Sequence, residues 1–205
     1  MRTAGIPEAL AVFAMILAYI WRLRFTHPMF WVIILASLVA SHRAHRERAM
    51  DLGFRAGNFG DCARRFGPAL IGLALALLST GLLPGTVRPM GFEAAIGSVA
   101  FYLPWGLVQQ YLLNGYFLKR FDMALSRNAA SLTASALFCA AHSPNWFLMM
   151  VTPVGAFGAI RIYRRYKNLY FLGFAHATIG FLLFLVVPDS VSHHMRVGPG
   201  WYRHF

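Results

Sequence analysis

Long apolar stretches separated by short basic turns dominate the chain, at 6–21, 29–40, 66–83, 94–118, 129–141, 147–160 and 169–187. Each is read as a helix crossing a hydrocarbon core of about 30 Å. Pro144 separates the fifth from the sixth, because proline tends to kink or break a helix. The second and fifth stretches are short for a crossing, so they are tilted, re-entrant or extended by flanking residues. The pattern predicts an all-α fold, a polytopic membrane helical bundle of about seven transmembrane helices.

Composition agrees with that pattern. Of 205 residues, 58% are hydrophobic and 13% charged, which excludes water as the main solvent. The length allows one bundle and no second unit of ordinary size, so 1–205 is read as one integral membrane domain with a tail at 189–205. The formal charge is +12, but the arginines cluster between apolar runs and form no continuous stripe. That arrangement argues against nucleic acid and for membrane lipids as partners. The basic loops at 43–65, 119–127 and 161–167 fall on one side of a seven-span chain, which the positive-inside rule makes cytoplasmic. Localisation is expected to be a multi-pass position in a membrane of the bacterial inner (plasma) type. Arg22 and Arg24 then lie on the outer side, against the rule. The segment 46–65, with Leu52, Phe54 and Phe59, reads either as a broken amphipathic helix on the membrane surface or as a solvated loop. Cys62, placed in a loop, and Cys139, placed in a helix, are too far apart in depth to bridge.

Polar residues at bilayer depth are costly and are the first candidates for function. They are Gln109, Gln110 and Asn114 on the fourth span, His142 on the fifth and His176 on the seventh. At about 1.5 Å per residue, Gln109 lies roughly 15 Å from Lys119 and His176 roughly 13 Å from Lys167, which is one depth. Gly155, Ala159, Gly173 and Gly180 are read as close-packing positions between helices.

These positions resemble the motifs of the CPBP family, the CAAX prenyl endopeptidases and bacteriocin-processing (Abi) proteins, over roughly 51–188. The family carries EExxxR, FxxxH and HxxxN on successive membrane helices. Here the first motif stands as Gln109-Gln110-x-x-x-Asn114, the second is intact as Phe138-x-x-x-His142, and the third keeps His176 but has Gly180 in place of asparagine. The resemblance implies an intramembrane endopeptidase with a glutamate-centred or metal-assisted mechanism. It gives His142, His176, Gln109 and Gln110 the catalytic positions, places Asn114 and Phe138 at the substrate, and makes His142 and His176 the ligands of any divalent metal such as zinc; a site without a cofactor is equally compatible.

A carboxamide cannot accept a proton near neutral pH, so neither glutamine replaces a glutamate as general base. Glu8, Glu47, Asp51, Asp61, Glu93, Asp122 and Asp189 all fall in loops or at helix ends. Proteolysis is therefore expected to be altered or absent. Two other functions compete: a noncatalytic partner, chaperone or subunit that binds a helix, a lipid or a prenyl chain, and a histidine–metal membrane enzyme of another reaction class. Candidate partners are a membrane-anchored peptide, a prenylated substrate or a partner transmembrane helix.

Overall fold

The computed structural model describes residues 5–202, and all regular structure among them is helical. α1 spans Gly5–Thr26 and α2 Pro28–Ala44, with proline at the first turn where its missing N–H costs nothing. A short α3, Ala49–Leu52, leads to α4, Phe59–Leu82. α5 begins as Phe92–Gln110 and runs on through a π-helical stretch, Tyr111–Leu118, into Lys119–Asp122. α6 is Arg127–Ala140, α7 Trp146–Tyr166, α8 Leu169–Val186 and α9 Asp189–Ser192. Side chains of Ser126, Asn145 and Asn168 accept from backbone N–H groups three residues on, which fixes the starts of α6, α7 and α8.

Each expected stretch falls on a helix; the second is lengthened to Pro28–Ala44, whereas the fifth stays short at Arg127–Ala140. Four helices, α1, α4, α7 and α8, are long and apolar enough by themselves to cross a membrane; α2 is apolar but shorter. Ile71, Leu75, Phe92 and Phe101 are among many large apolar side chains left exposed. Apolar surface on that scale needs hydrocarbon around it. The chain is an integral membrane protein.

The core gathers around the π-helical stretch of α5. Leu113, Tyr116 and Leu118 are buried against Ala9 and Val12 of α1, Ile34 and Leu38 of α2, Ala130 and Ala134 of α6, and Ile160 and Tyr163 of α7. α5 and α8 approach most closely through glycine. A Cβ on Gly106 would lie 2.6 Å from the Gly173 carbonyl oxygen, and one on Gly173 would lie 2.8 Å from the Leu107 Cα. Gly180 packs on the Tyr102 ring. Gly155, by contrast, faces open space, so the close-packing role expected for it does not hold.

The three basic loops meet at one end of the bundle. Arg164 bonds both oxygens of Asp122, Asn58 Nδ2 donates to the Tyr166 carbonyl and Asn168 Nδ2 to the Arg55 carbonyl. In the segment 46–65 two helical pieces, α3 and the start of α4, are broken by a non-helical link: Leu52 and Gly53 are buried against Tyr163 and Leu169, Tyr163 Oη donates to the Leu52 carbonyl, and Met50 and Phe59 stay exposed. Cys62 is likewise buried in the first turn of α4, not in a loop, and both cysteines are free. The opposite end holds the α4–α5 and α6–α7 turns and the tail. Arg24 is accommodated there by donating to the Val197 carbonyl at 3.3 Å, a partner that a positive-inside count does not foresee.

Candidate functional site

α5 and α8 run antiparallel and cross at Gly106 and Gly173, and from the two sides of that close contact the side chains of Gln110 and His176 reach each other. Gln110 Nε2 stands 3.1 Å from His176 Nδ1, and Asn114 Nδ2 donates to Gln110 Oε1 at 2.8 Å. With Asn114 donating, Gln110 presents its NH2 to the imidazole, so His176 carries its proton on Nε2. An amide here can answer either tautomer by turning over, which an ionised carboxylate cannot do. Gln110 and Asn114 are buried, and Asn114 Oδ1 is left without a partner.

α6 brings the second motif to the same place. The Phe138 ring lies 4.9 Å from the His142 ring and 6.1 Å from the His176 ring, both edge-on. His142 Nδ1 is 2.6 Å from the Phe138 carbonyl oxygen, which can only accept. Nδ1 therefore holds the proton and Nε2 is free to accept. Five of the residues singled out by sequence, Gln110, Asn114, Phe138, His142 and His176, thus form one polar centre between α5, α6 and α8. Gln109 is half-buried and makes no side-chain hydrogen bond among the described residues. Gly180, four residues beyond His176, offers only space for Tyr102.

The donor set does not suit zinc. A catalytic zinc takes three protein ligands and a structural one four. No group of three or more histidine, cysteine or acidic residues able to hold a metal occurs among the described residues. His193 stacks on Trp201 at 3.6 Å and His194 Nδ1 faces Asp189 at 3.1 Å, so neither completes a site with His142 and His176.

A second polar cluster, at the basic end, was hidden in the sequence. Arg120, completely buried, donates to both oxygens of Glu47 at 2.9 and 2.8 Å and to Ser41 Oγ. Lys119 Nζ lies 3.0 Å from the same carboxylate, and Arg120 Nε lies 3.5 Å from Glu8 Oε2. His42 joins this cluster to the first motif, with Nδ1 2.7 Å from Glu47 Oε2 and Nε2 2.7 Å from Tyr111 Oη. Glu8 and Glu47 do sit near a helix start and in a turn, as expected, but they are drawn inward to a buried guanidinium. Tyr111 lies inside the first motif, the one signal that pointed here.

Residues 91–182 match the family of type II CAAX prenyl endopeptidase Rce1-like proteins, a stretch that contains α5 to α7 and most of α8. No curated protein and no solved structure matches the chain. The helices that bring Gln110, Asn114, Phe138, His142 and His176 together are an Rce1-like domain of the CPBP family, carried in an integral membrane protein.

Proposed function

We propose that this Rce1-like membrane protein binds a prenylated or membrane-anchored peptide at its polar centre without cutting it by the glutamate route. The observation that carries the reading is the bonded series Asn114, Gln110, His176, in which an amide pair occupies the family's glutamate and arginine positions. A peptide hydrolase needs a group that takes a proton from water, and Gln110 has no basic lone pair near neutral pH. Among the described residues neither His142 nor His176 has a hydrogen bond or ion pair with a carboxylate. The exchange is self-consistent: losing one member of a buried ion pair costs about 3 to 5 kcal/mol, whereas losing both leaves amides that bond each other.

The test incubates purified protein with a library of prenylated and membrane-anchored peptides that carry a photo-crosslinker, reading crosslinking and cleavage by mass spectrometry. Crosslinks to α5, α6 or α8 without cleavage are expected. Gln109→Glu, Gln110→Glu and Asn114→Arg made together restore the base and its ion pair, and this variant is expected to cut what the unmodified chain only holds. Cleavage by the unmodified chain that disappears in His142→Ala would overturn the reading.

A further inference from the structure

The tail folds back on the turn that carries His142, and the contact is built of buried polar groups. Asn145, wholly buried, starts α7 through Oδ1 and donates through Nδ2 to the Ser192 carbonyl at 2.8 Å and the Arg196 carbonyl at 3.0 Å. Its backbone N–H donates to the His142 carbonyl at 3.0 Å. Gly198 N–H donates to the Ser143 carbonyl at 2.8 Å. Both donors and the oxygen of one buried side-chain amide thus join the start of α7 to the tail, and the same residue's backbone N–H holds the His142 turn.

Both ends of the tail segment are anchored elsewhere. Arg88, in the α4–α5 turn, makes a two-pronged pair with Asp189 and donates to the Phe184 carbonyl. Gly198, at φ +59°, lies so close to α1 that a Cβ would fall 2.8 Å from Ile20 Cγ2, and only glycine holds that backbone conformation without strain in that space. The segment therefore spans the bundle end from α4–α5 to α1, passing over the α6–α7 turn.

We propose that residues 189–202 are a strap that fixes the His142 turn, with Asn145 as its positioning residue, and closes the polar centre at this end. A ligand then reaches His142 and His176 from the membrane or the basic end. The proposal rests on the polar centre being a ligand site, but its test does not involve cleavage or binding.

The experiment measures carbethoxylation of individual histidines by diethyl pyrocarbonate, with mass-spectrometric mapping, on the full-length protein in detergent. Exposed His27 is the internal reference. Asn145→Asp keeps the oxygen that starts α7 and turns a carboxylate against two carbonyls, and Gly198→Ala undocks the strap from α1 without touching Asn145. Relative to His27, His142 is expected to react at least about tenfold faster in both variants, the effect of losing one or two ordinary hydrogen bonds. His176, deeper in the bundle, is expected to stay at its original rate. Unchanged His142 reactivity in both variants would overturn the proposal. So would an equal rise at His142 and His176, which would mean that the bundle as a whole has loosened.

Discussion

Arg120 and Glu47 form a two-pronged ion pair at 2.9 and 2.8 Å in which the guanidinium is completely buried. The pair crosses the boundary of the family-matched segment. Arg120 belongs to α5, whereas Glu47, Ser41 and His42 come from α2 and the turn after it. The first two helices are therefore held to the Rce1-like domain by charge as well as by the apolar contacts of Ala9, Val12, Ile34 and Leu38.

Glu47→Gln leaves the buried Arg120 with only the more distant Glu8 carboxylate, 3.5 Å from its Nε, and a loss of stability of about 2 to 4 kcal/mol is expected, somewhat less than for a wholly unpaired buried charge. Thermal unfolding in detergent measures it. Arg120→Leu with Glu47→Leu is expected to cost less than either single change, because the buried guanidinium goes together with its carboxylate, while Lys119 and Glu8 reach water and Glu8 keeps His45. A double variant as unstable as the sum of the singles would show that the pair is not the source.

Acid should release the same clasp. Burial pushes the Glu47 carboxyl up, but hydrogen bonds from His42, Arg120 and Lys119 outweigh burial and hold it far below the usual carboxylate range. At the other end, the hydrogen bonds from Arg88 lower Asp189. A carboxylate with a depressed folded pKa contributes stability that is complete above its unfolded value, about 4, and is lost as pH falls towards the folded one. The unfolding midpoint is expected to drop as pH falls below about 4, and to drop less steeply in Glu47→Gln.

The polar centre depends on the glycine crossing. Gly106→Val or Gly173→Val forces α5 from α8, with an expected cost of about 1 to 3 kcal/mol. Gly155→Ala, in open space, is expected to be neutral or slightly stabilising, since alanine favours the helix. Unfolding midpoints compare the three, and equal effects at Gly106 and Gly155 would contradict the packing.

Metal analysis of the purified protein is expected to find less than one tightly held zinc per chain, and a chelator to leave the unfolding midpoint unchanged. Stoichiometric zinc that His142→Ala and His176→Ala both remove would require a third ligand beyond those the structure brings together.

The sequence by itself determined that the chain is helical, membrane-bound and CPBP-like, because apolar run length and motif spacing are local properties that burial in lipid reads directly. It also placed Gln109 and His176 at one depth, since rise per residue converts position into height. Which neighbours those heights bring together was not legible. Gln109 and Gln110 are adjacent and alike in sequence, yet only Gln110 faces His176, because the glycine contact sets how α5 is turned. Tertiary structure alone decided that Glu47, in a basic loop, turns inward to Arg120, and that Asn145 ties the His142 turn to the tail. Such pairings join residues 47 to 73 positions apart, and no local pattern encodes a distance that packing must close.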